Sequence, residues 1–142
     1  MKKLKPQRVD WNQIRRFLES ASKKLAAAKK ILEIDEEASF QQAYEAMLKA
    51  SLALMLSYGT RPRSLPGHHI AIIEFAGKHL GKEFRDLVAM FDRIRRKRNL
   101  ALYDVSGFIS RRDAEQAVQT ASTFLATIRE LIDKRHPQQC LV

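Results

Sequence analysis

Apolar side chains recur at every third or fourth position along most of this chain, and that spacing decides which secondary structure it forms. An α-helix of 3.6 residues per turn brings such positions onto one face, whereas a strand needs strict alternation. The first run predicts a helix over residues 11–32, with Asp10 as its N-cap and Gln13 as its capping-box partner. The residues of this run are Trp11, Ile14, Leu18, Ala21, Leu25, Ala28 and Leu32.

The same spacing predicts four further helices, separated by loops too short to divide the chain into two domains. The second helix is apolar on nearly every side from Ala46 to Leu56, which is typical of a central helix. Ser110 is the predicted cap of the last helix, with Asp113 in its first turn. We therefore expect one all-α domain over residues 1–142, with a basic extension at residues 1–9. It is an antiparallel bundle of four long helices and one short helix, without strands. The predicted ranges of the four further helices are 38–58, 70–80, 82–102 and 110–136.

The net positive charge of the chain restricts which ligands it can bind. The 142 residues include 26 Lys and Arg against 16 Asp and Glu, a net charge of +10. Ten basic residues lie within residues 1–30 and five within residues 93–98. A compact domain with this charge attracts polyanions such as nucleic acid. The longest apolar stretch, Leu52 to Leu56, is too short to cross a membrane and no signal peptide is recognisable, so we expect a cytoplasmic protein.

The motifs of several enzyme classes do not occur in this sequence. Cys140 is the single cysteine, so there is neither an internal disulfide nor a zinc site of cysteine and histidine. There is no Glu-x-x-His pair for a di-metal bundle, no phosphate-binding loop and no His-Glu-x-x-His helix. We therefore expect no metal and no cofactor.

Arg98 lies on the predicted packed face of the fourth helix, together with Leu87, Phe91, Ile94 and Ala101. A guanidinium in that position needs a partner. Two interpretations stay open. Arg98 forms an internal pair with a carboxylate or with carbonyls at a helix end, or it faces a cleft or second subunit and binds phosphate through its bidentate fork.

Arg95, Arg96 and Lys97 form, with Arg98, a candidate nucleic-acid-binding surface. Such a run is also the ordinary solvated face of a helix. Aromatic side chains for base stacking are sparse around it, which argues against sequence-specific reading of a single strand.

The segment Arg96-Lys97-Arg98-Asn99-Leu100-Ala101-Leu102-Tyr103-Asp104 resembles the motif of the HEPN superfamily. The typical motif is an Arg, four to six residues and then a His, often with an Asn directly after the Arg. The segment 43–76, in which Pro66-Gly67-His68-His69 opens a short helix, is similar to the corresponding part of many stand-alone HEPN proteins. The resemblance covers most of residues 38–135.

This resemblance implies a HEPN-like bundle that forms a homodimer, with two motifs facing each other across a groove. Many members are metal-independent endoribonucleases, often toxins paired with a small nucleotidyltransferase antitoxin, and others only bind. Matched residue by residue, Arg98 takes the place of the motif Arg and Asn99 that of the Asn. Tyr103 stands where the His is expected, and Asp104 follows it.

The tyrosine at position 103 bears directly on catalysis. Metal-free RNA cleavage needs a proton acceptor, a cation for the developing charge and a proton donor, and Arg98 supplies only the cation. Tyrosine is a poor base at neutral pH, and in a regular helix Tyr103 points about 140° away from Arg98. His68, His69 and His79 are candidate substitutes. Alternatively, His68 and His69 satisfy backbone groups at a helix start and pack the loop.

Three hypotheses follow. The first is a dimeric HEPN-like protein that binds RNA or a nucleotidyltransferase through a groove lined by Arg98, Asn99 and Tyr103. The second is an endoribonuclease of the same fold, in which Tyr103 or a loop histidine replaces the usual His. The third is a nucleic-acid binder that uses the basic first helix.

Overall fold

The computed structural model describes residues 4–63, 68–103 and 108–139. These contain five α-helices, which confirms the predicted all-α bundle of four long helices and one shorter one. The helices are α1 (Trp11–Ile31), α2 (Glu36–Ser57), α3 (His68–Leu80), α4 (Arg85–Ala101) and α5 (Arg111–Arg135), and the two short strands are β1 (Leu4–Pro6) and β2 (Thr60–Pro62). None of the described helices is long and apolar enough to cross a membrane.

α2 is the central helix, as its apolar composition predicts. It packs against α1 and α5 along its length, and α3 and α4 cover another side. Its alanines 43, 46, 50 and 53 are completely buried, and their small side chains let the neighbouring backbones approach closely. Three rings join α2, α4 and α5 edge to face: Tyr44 lies 5.9 Å from Phe91, and Phe91 lies 4.9 Å from Phe124, measured between ring centroids.

Side-chain caps fix where α1, α2 and α5 begin, and at α2 the Asp35 carboxylate accepts from the Ala38 N–H at 3.0 Å. The Asp10 carboxylate accepts hydrogen bonds from the backbone N–H groups of Asn12 and Gln13, so Gln13 contributes its backbone to the cap. At the start of α5, the Ser110 hydroxyl accepts from the Asp113 N–H and the Asp113 carboxylate accepts from the Ser110 N–H, each at 3.0 Å. This reciprocal pair is a capping box, and it confirms Ser110 as the predicted cap.

The prediction that the chain has no strand was wrong. β1 pairs antiparallel with β2, with Leu4 opposite Pro62 and Pro6 opposite Thr60. The Gln7 N–H also donates to the Gly59 carbonyl at 3.0 Å. Strands of three residues are too short to show alternation, and their partners are more than fifty positions apart, so the local pattern gave no signal.

The fourth helix begins later than its spacing predicts. Gly81 has a φ of 92°, a conformation that favours glycine, and a single 3₁₀ turn over Lys82–Phe84 follows it. The α-helical hydrogen bonds begin only at Arg85.

Candidate functional site

A cleft of about 410 Å³ opens between α2, the end of β2, the start of α3 and the C-terminal half of α4. We call it the Arg98 cleft. Its charged and titratable lining consists of Glu45, Lys49, Arg63, His68, His69 and Arg98. The cleft therefore holds three permanent cations, two histidines and one carboxylate.

Arg98 lies half-buried in the wall of this cleft, on the α4 face that also carries the buried Phe91 and Ile94. Its Nε donates to the Gln41 side-chain oxygen at 3.1 Å, and one terminal nitrogen donates to the Asn99 side-chain oxygen at 3.3 Å. No described carboxylate lies within 4.0 Å of the guanidinium. Among the described residues Arg98 is thus held in place by neutral acceptors, and three of its five N–H donors have no partner there.

Tyr44, on α2, connects Arg98 to His69. Its side chain is completely buried, its hydroxyl lies 3.0 Å from His69 Nδ1, and the Arg98 Cζ lies 5.4 Å from the centre of its ring. Burial raises the pKa of Tyr44 to about 12, against the lowering effect of the Arg98 and Arg95 charges. The hydroxyl therefore keeps its proton at neutral pH.

The Tyr44 contact determines which nitrogen of His69 carries the ring proton. Within the described residues the buried hydroxyl has no acceptor other than Nδ1, so we assign the tautomer in which the hydroxyl donates a hydrogen bond to that nitrogen. The neutral ring then carries its own hydrogen on Nε2. Burial, and after it the charges of His68 and Arg98, lower the pKa of His69, so the neutral form dominates at pH 7.

The structure does not bring Tyr103 to Arg98 within one chain. α4 ends at Ala101, the Tyr103 backbone N–H bonds the Leu100 carbonyl at 3.1 Å, and the Tyr103 side chain is 90 % exposed. Asn99 does contact Arg98, as described above. Asp104 lies outside the described residues.

His68 and His69 open α3, as expected, and they also line the Arg98 cleft. Their rings meet edge to face, with centroids 4.5 Å apart. His79 lies away from the cleft, near the C-terminal end of α3, where its ring contacts those of Tyr58 and Phe75. Of the three candidate histidines, two are therefore brought beside Arg98.

The basic run next to Arg98 is largely paired with acids. Arg95 Nε lies 2.9 Å from one Asp92 oxygen, and Arg96 Nε lies 3.4 Å from the other. Lys97 Nζ lies 2.9 Å from the Asp113 carboxylate on α5. The prediction that this run binds nucleic acid stays a prediction, and these pairs lower the positive potential that the run presents.

Sequence reasoning missed Tyr44, Gln41, Lys49 and Arg63. Tyr44 left a signal, because a phenol within an otherwise apolar central helix needs a hydrogen-bond partner when it is buried. Gln41 and Lys49 look like ordinary surface positions of a helix, and Arg63 is one of several basic residues in a turn. Lys49 and Arg63 line the cleft, and the packing of α2 against α3 and α4 brings Gln41 to Arg98 and Tyr44 to His69.

Comparisons with known proteins agree with this fold. The family model described as "HEPN domain" matches residues 14–131. Among solved structures, the crystal structure of TT1696 from Thermus thermophilus matches with a TM-score of 0.66 and 21 % identity, over 84 % of this chain and 98 % of that one. At that identity the likeness shows the fold alone. No curated protein matches the chain.

Proposed function

This chain belongs to the HEPN family, and from that premise we propose that it is an RNA-binding protein in which Arg98 holds a backbone phosphate. The observation that carries the proposal is the environment of Arg98. A guanidinium in a cleft wall, fixed by neutral side chains and with three N–H donors that no described residue uses, matches the fork geometry of a phosphate. Such a protein works in the cytoplasm, where it meets RNA.

The other groups of the cleft support an anionic ligand. Lys49 and Arg63 add positive charge, and the Nε2–H of neutral His69 is a donor suited to a phosphate oxygen. Glu45 opposes such a ligand, so the net charge of the lining is +2 when both histidines are neutral. The ligand is therefore bound by several cations that outweigh one carboxylate.

A metal-independent endoribonuclease is the second candidate, and it is favoured by the presence of His68 and His69 beside Arg98. In that reaction a base takes the proton of the 2′-hydroxyl, the 2′-oxygen attacks phosphorus, and the 5′-oxygen leaves with a proton from an acid. The tautomer of His69 argues against this candidate, because a ring whose Nδ1 accepts from Tyr44 and whose Nε2 carries a hydrogen has no free lone pair.

We propose in addition that two copies associate through the end of α4. Leu100, Leu102 and Tyr103 are 61, 54 and 90 % exposed, an unusual density of large apolar side chains for one turn of a surface helix. A symmetric dimer would bury these side chains and bring the two Arg98 clefts near each other. Light scattering should give about twice the mass of 16.4 kDa, and a monomer at micromolar concentration would contradict the dimer. A complex with a small nucleotidyltransferase, as for HEPN toxins and their antitoxins, is the alternative use of this surface.

Binding of a short labelled RNA tests the function. Arg98→Ala should weaken binding about tenfold to a hundredfold, the range for losing a hydrogen bond to a charged group. Arg98→Lys should recover only part of it, because lysine keeps the charge but not the fork. Arg85→Ala is the matched control, since Arg85 is exposed and lies at the opposite end of the same helix. Equal loss in Arg98→Ala and Arg85→Ala would refute the role of the cleft.

Incubation of RNA with the purified protein and a chelator separates the two candidates. We expect no cleavage by the unaltered chain, and cleavage by Tyr103→His if a second copy brings that position to Arg98. Cleavage by the unaltered chain that is lost in Arg98→Ala and in His69→Ala would instead establish the endoribonuclease.

A further inference from the structure

The outward face of α1 carries a line of basic side chains. Arg16, Lys23 and Lys30 are exposed and follow each other at intervals of seven residues. Seven residues are close to two helical turns, so the three side chains share one face and are separated by about 10 Å along the helix axis. We call these three residues the α1 basic face.

The charges of the α1 basic face are not compensated within the described part of the chain. None of the three lies within 4.0 Å of a described carboxylate, and Glu19 is the one acid among them on the same face. Four cations of α4 and the start of α5 differ, because Arg95, Arg96, Lys97 and Arg111 have carboxylate partners.

A flank of α1, about 100° around the helix from the α1 basic face, lies next to the Arg98 cleft. Phe17, which follows Arg16, lies under the Lys49 ammonium, with 5.4 Å between Nζ and the ring centroid, and Lys49 lines the cleft. Lys24 lies seven residues after Phe17 and therefore on the same side of α1, next to Lys23. Cations thus extend from Arg98 past Lys49 and onto α1.

We propose that the α1 basic face is a second contact site for RNA, along which a strand anchored at Arg98 leaves the cleft past Lys49. This proposal rests on the proposed function, since it needs RNA in the cleft. The shape of the surface favours a strand over a small anion, because the line from Arg16 to Lys30 is about 20 Å long and spans several phosphates. Its charges are spread along a helix and do not converge on one point, as they would around a single phosphate.

The test compares a short and a long RNA. A strand of about 2 nucleotides fills the cleft of about 410 Å³, whereas one of about 20 nucleotides also reaches α1. The variant Arg16→Gln, Lys23→Gln, Lys30→Gln should bind the long strand about tenfold more weakly at low salt and the short strand within about twofold of the unaltered protein. The slope of log affinity against log salt for the long strand should fall by about 2, because three contacts at about 0.7 each are lost. Glutamine keeps helix propensity, and circular dichroism checks the fold.

The matched control removes the same charge elsewhere. Lys78, Lys82 and Arg85 are exposed around the turn between α3 and α4, at the end of α3 opposite His68. Their triple replacement by Gln should leave the long strand within about twofold, and an equal loss in both triples would reduce the effect to net charge and overturn the proposal. Glu19→Gln should tighten binding of the long strand only.

Failure of this proposal and failure of the proposed function give different results. If the α1 variant binds the long strand unchanged while Arg98→Ala weakens the short one, the cleft binds RNA and α1 does not. If Arg98→Ala binds both strands normally, the cleft is not the anchor, and neither the proposed function nor a strand leaving the cleft survives.

Discussion

The basic residues of α4 and those of α1 differ in what surrounds them. On α4, Arg95 and Arg96 share Asp92 one turn earlier on the same helix, and Lys97 reaches Asp113 on α5. On α1, Arg16 and Lys23 have no such partner within the described residues. A dense basic run is therefore a poor guide to a binding surface, because neighbouring acids decide how much of its charge is available to a ligand.

Some of the ion pairs on α4 can be predicted from the sequence, and others cannot. Asp92 precedes Arg95 and Arg96 by three and four residues, which is the spacing of helical ion pairs, so that neutralisation is readable from the sequence. The pair between Lys97 and Asp113 depends on how α4 packs against α5. Helix periodicity alone thus predicts the pairs of Asp92 with Arg95 and Arg96, whereas the pair of Lys97 with Asp113 can be identified only from the fold.

Breaking the ion pairs on α4 should make its cations as available to a ligand as those of α1. Asp92→Asn removes one negative charge and releases Arg95 and Arg96, so RNA of about 20 nucleotides should bind about threefold to tenfold more tightly at low salt. Fluorescence anisotropy measures this. Glu130→Gln, an exposed acid on α5, gives the same change in net charge and should have little effect. Equal tightening in both variants would mean that the pairs do not restrain the arginines.

Acid should weaken the contact between α4 and the start of α5, where Lys97 pairs with Asp113. Burial raises the pKa of Asp113, but hydrogen bonds from Lys97 and Ser110 outweigh it and hold the pKa below its usual value of 3.8. Stability from this carboxylate is present above that value and is lost as the pH falls through the lower folded-state pKa. Thermal melts below about pH 4 should therefore show a loss of about a few degrees in the unaltered protein that is smaller in Asp113→Asn. Glu19→Gln, on α1, should lose stability like the unaltered chain. Identical acid profiles for Asp113→Asn and the unaltered chain would rule out this contribution.

Removing the α4 cations should cost less binding than removing those of α1. The variant Arg95→Gln, Arg96→Gln, Lys97→Gln should weaken the long RNA by about twofold to threefold, because these charges are already countered. The same anisotropy titration that measures the α1 variant gives the comparison. A loss larger than that of the α1 variant would reverse the ranking of the two helices.

The smallest difference is expected in stability. Arg96→Gln breaks an exposed ion pair and should lower the free energy of unfolding by a few tenths of a kcal/mol, since exposed pairs contribute about 0–1 kcal/mol. Lys23→Gln removes an unpaired cation beside Lys24 and should leave stability unchanged or slightly higher. Urea unfolding measures both, and a clear loss in Lys23→Gln would show that this lysine has a partner.

The helices were predictable because each carries a long apolar face, and the caps Asp10 and Ser110 marked two of their starts. The site was predictable only in part. Arg98 stood out because its charge interrupts an apolar face, whereas its nearness to His69 depends on Tyr44 on α2, and no local pattern relates these three positions. Tyr103 is the opposite case. The motif predicts that it acts together with Arg98, but α4 ends before Tyr103, and the two side chains do not meet within one chain.

The two-stranded sheet supports one wall of the Arg98 cleft. Pro62 and Arg63, at the end of β2, line the cleft, and β1 is hydrogen-bonded to β2. Yet β1 lies before residue 14, where the family match begins. Two relatives could therefore share every residue of the matched region and still differ in how firmly this wall is held. Changes in a tripeptide that does not line the cleft would then alter how tightly the cleft holds a ligand.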